Sequence, residues 1–235
     1  MKSIIIMSGK GGVGKTTIAV NLALSFSFKF KTGLLDIDIH GPNAPILLNL
    51  ENNNVFVNEN NKIIPVNFND NLYVMSLWFL IEKSKKAVIW RGPLKSKMIS
   101  QFINDVAWNV EYLIVDFPPG TGDEIITFAQ LMNKNSKAII VSLPNELSLS
   151  DAERAINFCK SMNIEIIGLI ENMSSEYFGK NKVKELSKKY GIAFLGSLPL
   201  SKDFLIASEK KKPVILINDK IKEFFNDIRD KILSS

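Results

Sequence analysis

Residues 3–17 read SIIIMSGKGGVGKTT. Ser3–Met7 is an apolar run of strand length, and a segment with helical spacing opens at Lys15. Between them stand Gly9, Gly11, Gly12 and Gly14. A strand that passes through a glycine-rich turn into a helix converges backbone N–H groups and the positive end of the helix dipole on one point, which is the geometry of an anion site. Two motifs overlap here. Gly9-Lys-Gly11-Gly-Val-Gly14 fits the dinucleotide pattern GxGxxG, and Asp36 follows at the distance of a ribose-binding acid. Gly9-x4-Gly14-Lys15-Thr16 equally fits the triphosphate loop. The Lys-Thr pair decides between them, because a pyrophosphate in a dinucleotide turn needs neither, whereas a triphosphate with magnesium needs a cation and a hydroxyl. In that reading Gly11, Gly12, Val13 and Gly14 supply backbone N–H groups and Lys15 meets the β- and γ-phosphates. Thr16 ligates magnesium, and Thr17 either meets the α-phosphate or caps its helix.

Beyond the loop, short apolar runs alternate with longer helical segments, the pattern of a mostly parallel sheet flanked by helices on both faces. The fold class is α/β. Strands are expected at Ser3–Met7, Gly33–Ile37, Tyr73–Leu77, Tyr112–Phe117, Ala138–Leu143, Glu165–Ile170 and Phe194–Leu195, with a short late element at Val214–Ile217. Residues 49–71 hold ten Asn around the short β-like pieces Val55–Val57 and Ile63–Val66. They are expected to form a peripheral hairpin with Asn-rich turns inside a single domain, 1–235.

In open parallel sheets ligands sit beyond the carboxyl ends of the strands, and acids stand there. Asp116 ends an apolar strand, the place of a carboxylate that orients magnesium or its water, and runs into Pro118-Pro119-Gly120-Thr121-Gly122, a turn suited to sensing a γ-phosphate. Asp36 and Asp38, one residue apart, lie on the same side of an extended chain. Asp36 is expected to order the magnesium shell; either acid could instead cap the following turn. His40, the one histidine, is read as a structural loop residue.

The 235 residues, 46% of them hydrophobic, suffice for a substantial core. No apolar run approaches the roughly 20 residues of a membrane helix, and the start of the chain shows no basic region followed by a long apolar stretch, so a cytoplasmic location is expected. One cysteine, Cys159, cannot form an internal disulfide. It lies in an expected helix, Asp151–Met162, as packing. The net charge of +5 is spread over mixed clusters, which reads as solvated surface and not as a nucleic-acid stripe. The C-terminal segment Asp219–Leu233 is amphipathic, with Ile221, Phe224, Phe225, Ile228 and Ile232 on one face. Its charges balance, which favours packing onto the sheet over a lipid surface.

The early Lys10 in KGGVGKT resembles the deviant Walker A motif of the MinD/ParA/Mrp class of ATPases. That resemblance implies an ATP-sandwich homodimer in which Lys10 reaches the partner's nucleotide, and it gives Asp38 the attacking water. DIDIHGPNAP at 36–45, WRGP at 90–93, VDFPPGTGDE at 115–124, ENM at 171–173 and LGSLPL at 195–200 together resemble the Mrp-type, or ApbC-type, iron–sulfur carrier ATPases over nearly the whole chain. By that resemblance Asn172 contacts adenine and the loop around Pro199 forms the other wall of the base pocket. Such carriers place a CxxC shortly after the ENM segment, and two subunits hold a 4Fe–4S cluster between them. Here that stretch reads Glu171-Asn-Met-Ser-Ser-Glu-Tyr-Phe-Gly-Lys-Asn, without cysteine. The resemblance thus implies a slow, partner-stimulated, magnesium-dependent ATPase of cluster assembly. It acts with iron–sulfur assembly or recipient proteins and lacks its family's cluster ligands. A MinD/ParA-like switch binding a membrane, DNA or a protein, and a non-hydrolysing nucleotide-bound module, are the other classes to separate.

Overall fold

The computed structural model describes residues 1–38, 41–81, 92–120, 122–132 and 136–234. Its elements in chain order are β1 Lys2–Met7, α1 Lys15–Ser27, β2 Thr32–Asp36, α2 Ala44–Leu47, β3 Phe56–Val57, β4 Ile63–Ile64, β5 Val66–Asn69, β6 Leu72–Ser76, α3 Trp78–Ile81 and α4 Gly92–Asn104. There follow β7 Tyr112–Asp116, α5 Asp123–Met132, β8 Ser136–Ser142, α6 Glu146–Ser161, β9 Glu165–Ser174, α7 Lys182–Tyr190, β10 Phe194–Pro199, α8 Lys202–Glu209 and α9 Asp219–Ser234. Eight strands form one sheet in the order β10-β9-β8-β1-β7-β2-β6-β5. Every pairing in it is parallel except β5 with β6.

The chain order explains the layers. From β1 the connections run outward to β2 and β6, then return to β7 and run the other way through β8, β9 and β10. Right-handed crossovers taken in opposite directions place their helices on opposite faces. Accordingly α1 is joined by α9, whereas α4 packs with α5 and α6 with α7. The central strands are continuous apolar runs because both of their faces are covered: Ile4, Ile5, Ile6 and Met7 of β1 and Leu113, Ile114 and Val115 of β7 are all buried.

The late element expected at Val214–Ile217 is not a strand. Val214–Leu216 is a 3-10 turn after Pro213, closed by Leu216 N–H to Pro213 O and Ile217 N–H to Val214 O. The Ile215 N–H is drawn to Asn21 Oδ1 on α1, at 2.9 Å, which leaves it no strand partner. The Asn-rich segment does form its hairpin, Phe56–Val57 against Ile63–Ile64, but the expected piece Ile63–Val66 splits at Pro65. Beyond the proline, β5 leaves the hairpin and pairs antiparallel with β6 as the sheet's outer strand.

Helix α9 buries Ile221, Phe225 and Ile228 against the body, as its balanced charges imply. Buried Arg229 fixes it to α1, donating to Ser25 O at 2.8 Å and to Asn226 Oδ1 at 2.9 Å. Among the described residues no helix is long and apolar enough to cross a membrane.

Candidate nucleotide site

The glycine loop leaves the carboxyl end of β1, the strand between β7 and β8. Gly12 and Gly14 both hold positive φ, 81° and 86°, a conformation that costs glycine nothing. Gly9 answers to a different constraint. A Cβ there would stand 2.0 Å from the Asp151 carbonyl oxygen of α6, so the loop's first glycine is required by helix packing. Ser8 ties the base of the loop together: its hydroxyl donates to Lys10 O at 2.7 Å, and its carbonyl accepts the Gly120 N–H at 2.9 Å. The Pro-Pro-Gly turn after β7 is thereby fastened beside the loop. Lys10 lies exposed on the loop, whereas Lys15 is buried at the start of α1.

Asp36 and Asp116 face each other in register across the β2–β7 pair, and both are fully buried. Their surroundings differ. Asp36 Oδ1 accepts the Asp38 N–H at 3.1 Å; Oδ2 accepts the Ala44 N–H and the Ser76 hydroxyl, each at 3.1 Å. Asp36 thus performs the turn-capping that was one reading of it, and fixes the segment bearing Asp38. Burial, then the charge of Asp116, push its carboxyl well above the ordinary range, against the pull of those three hydrogen bonds. Asp116 is the opposite case, with no partner at hydrogen-bond distance on either oxygen. It is raised to about 7: burial pushes it up most, the Lys15 charge and then the nearby Thr16 hydroxyl hold it down, and Asp38 adds to the rise. A buried carboxylate without hydrogen bonds, beside a lysine and a threonine at the foot of a phosphate loop, fits a magnesium ion and its water, since hard cations take oxygen ligands.

These shifts set a pH dependence for the nucleotide-free, magnesium-free protein. Between about pH 4 and 7 the folded state retains protons that an unfolded carboxyl with its pKa near 4 releases, so stability falls as pH rises through that window. The thermal midpoint should therefore decline from about pH 5 to pH 7 and then flatten, and Asp116→Asn should reduce the slope. Melting curves with chelator present test this; equal slopes in parent and variant would exclude Asp116 as a contributor.

Asn172, near the end of β9, is buried against the loop. Its Nδ2 donates to Val13 O at 2.8 Å, and the same nitrogen stands 2.3 Å from where a Gly14 Cβ would be. Pro199 ends β10 in register with Ser174, exposed one strand further out. Thr17, half-buried, gives its carbonyl to Asn21 Nδ2 at 2.7 Å. The structure thus brings the loop, Lys15, Thr16, Asp36, Asp38, Asp116 and Asn172 to one end of the sheet. His40, Thr121 and the Trp90-Arg91 part of WRGP lie outside the described residues.

Sequence reasoning passed over Glu171. Fully buried, it accepts the Asn181 N–H and the Ser197 hydroxyl on Oε1, at 3.1 and 2.9 Å, and the Val183 N–H on Oε2 at 3.1 Å. It therefore caps α7 from the neighbouring strand. The available signal was an acid ending an apolar run just before Asn172. The stretch where carriers have CxxC is a tight turn, with Ser175 N–H to Gly179 O at 3.1 Å and Gly179 N–H to Ser175 O at 2.9 Å. Tyr177 and Phe178 are exposed on it. Cys159 is fully buried in α6 with its thiol pushed up to about 12 by burial, and its Sγ lies 3.5 Å from Met7 Sδ. It is packing, as expected. Among the described residues no group of three His, Cys, Asp or Glu side chains is arranged to hold a metal ion.

Known proteins resemble this chain over most of its length. An iron-sulfur cluster carrier protein of Methanocaldococcus jannaschii is 41% identical over 98% of this chain and 83% of its own. An ADP-bound nucleotide-binding protein from Archaeoglobus fulgidus superposes with a TM-score of 0.76 at 33% identity, covering 91% of this chain and 87% of that one. MinD in the MinC:MinD cell division complex of Aquifex aeolicus superposes equally, with a TM-score of 0.76, over 100% of this chain and 96% of that one. At 22% identity it shares the fold alone. The family described as ParA, NUBPL iron-transfer P-loop NTPase, matches residues 1–233, and the chain belongs to it: an iron–sulfur cluster carrier and assembly family of MinD/ParA-like P-loop NTPases.

Proposed function

We propose that this chain is a magnesium-dependent ATPase of iron–sulfur cluster assembly that works as an ATP-bridged homodimer beside a cysteine-bearing partner. The observation that carries the ATPase reading is Asp116, buried without a hydrogen bond next to Lys15 and Thr16. Lys15 neutralises the β- and γ-phosphates, and backbone N–H groups of Gly11 to Gly14 cradle them, with Thr17 at the α-phosphate. Thr16 and Asp116 hold magnesium, partly through water. Magnesium held by these residues would supply positive charge to the phosphate oxygens. Asp36 acts through its neighbours: it pins the Asp38 backbone by its 3.1 Å hydrogen bond and holds the Ala44 N–H and the Ser76 hydroxyl. Asp38 then orients the attacking water, the role a glutamine or acid plays in other phosphoryl-transfer sites. Exposed Lys10 is free to reach a second copy's phosphates, where a cation offsets charge spread over the transferring group. Asn172 and Pro199 border the base.

The iron–sulfur cluster is cargo, and its ligands come from elsewhere. Two Cys159 thiols in a dimer would supply half of the four thiolates a 4Fe–4S cluster takes, and both are buried. A lone unpaired thiol suits the reducing cytoplasm. The test is anaerobic reconstitution with iron and sulfide, counting iron per protomer, alongside phosphate release from ATP with and without magnesium. The expected result is magnesium-dependent turnover with no stoichiometric cluster, in the parent and in Cys159→Ser alike. A stoichiometric cluster lost in that variant would overturn the partner-bound cargo; absent turnover, even with cluster-assembly proteins added, would overturn the ATPase.

A further inference from the structure

Asn172 does its work on the phosphate loop before any base arrives. Its amide nitrogen is committed to the Val13 carbonyl at 2.8 Å. The Val13–Gly14 peptide is the one whose next residue, Gly14, turns to φ 86° and opens α1. The contact is close enough that a side chain at Gly14 would displace Asn172. The anchor behind this tether is rigid. Glu171, the preceding residue, is locked by three hydrogen bonds to α7 and β10, and Leu200 N–H to Ser174 O at 3.0 Å continues the link to β10. An amide that gives one N–H to a carbonyl keeps its second N–H and its oxygen for a ligand.

We infer that Asn172 is a positioning residue for the phosphate loop: by holding Val13 O it sets the orientation of the Val13–Gly14 peptide, and so the direction of the N–H groups that receive the phosphates. This rests on the phosphate-loop reading above and assigns Asn172 a task independent of adenine. Preorganised donors cost no rearrangement when the anion binds, whereas a loop freed from its tether must be ordered at the expense of affinity. The tether also connects the loop, through Glu171 and Ser174, to the turn carrying Tyr177 and Phe178 at the same end of β9, so the loop and that turn are coupled.

The experiment uses a ligand without a base. Inorganic tripolyphosphate, ATP and GTP, each with magnesium, are titrated against the full chain and Asn172→Ala. Tripolyphosphate and ATP should both weaken about tenfold, which corresponds to about 1.4 kcal/mol, while the ratio of ATP to GTP affinity stays unchanged. Two further readouts separate this from general damage. The nucleotide-free variant should melt within a few degrees of the parent. In the nucleotide-free protein the backbone 15N resonance of Gly14, which shares the peptide of the Val13 carbonyl, should move, while resonances of β5 and β6 stay fixed. Unchanged tripolyphosphate affinity with loss of the ATP preference would overturn the inference and leave Asn172 a base reader. A stationary Gly14 resonance would equally overturn it. If the parent itself bound neither ATP nor tripolyphosphate, the phosphate-loop reading would fail instead.

Discussion

Lys15→Ala should weaken magnesium-ATP binding by about a hundredfold or more, because two separate losses add. The first is direct: a charged hydrogen bond to phosphate contributes about 1.5–3 kcal/mol. The second passes through Asp116. The Lys15 charge is the largest influence holding that buried carboxyl down to about 7. Without it desolvation is opposed by the Thr16 hydroxyl alone, the acid takes up a proton, and a magnesium ligand is lost with the lysine. Calorimetric titration at two pH values distinguishes the losses. Raising the pH above neutrality should restore part of the variant's affinity by ionising Asp116 again, and none of the part due to the missing ammonium. Affinity within threefold of the parent at both pH values would remove Lys15 from the site.

Asp38→Ala should separate binding from turnover. Its side chain is half-buried, and its backbone is held by Asp36 whatever the side chain. ATP affinity should therefore stay within about threefold, whereas turnover should fall by the 10²–10⁴ typical of a group that handles a proton or water at the reacting centre. With hydrolysis blocked, ATP should hold two copies together, and light scattering with ATP should show a dimer that the parent forms only transiently. Single-turnover phosphate release in the variant equal to the parent's would give the water to another residue. An effect on ATP affinity instead of rate would assign Asp38 to binding.

Much of this was legible in the sequence, for identifiable reasons. A central parallel strand is buried on both faces, so Ile4 to Met7 and Leu113 to Val115 appear as unbroken apolar runs. The glycine loop is legible because most of its constraints are local: positive φ at Gly12 and Gly14, and a cation and hydroxyl in the next two positions, while Gly9 answers to the distant Asp151. What stayed hidden depends on residues far apart in the chain. The duty of Glu171 as cap of α7 needs Ser197, and the tether of Asn172 needs Val13, 159 positions earlier. No periodicity records such pairs. The 3-10 turn at Val214 read as a strand because four apolar residues in a row, Val214 to Ile217, carry no sign of the side chain, Asn21, that takes the Ile215 N–H. The edge strand β5 was hidden in the opposite way, since its Asn67 and Asn69 look like turn formers and its pairing with β6 is a tertiary fact.

The place of β1 at the centre of the sheet governs how the molecule is made. It leaves the ribosome well before its neighbours, which begin only at Tyr112 and Ser136. At roughly 5–20 residues per second, its apolar strand waits on the order of ten seconds for partners. Closure of such distant contacts is slow in its own right. During that interval the glycine loop has no frame and offers nucleotide nothing to bind. A nucleotide bound there can therefore stabilise the finished molecule but cannot guide its early folding.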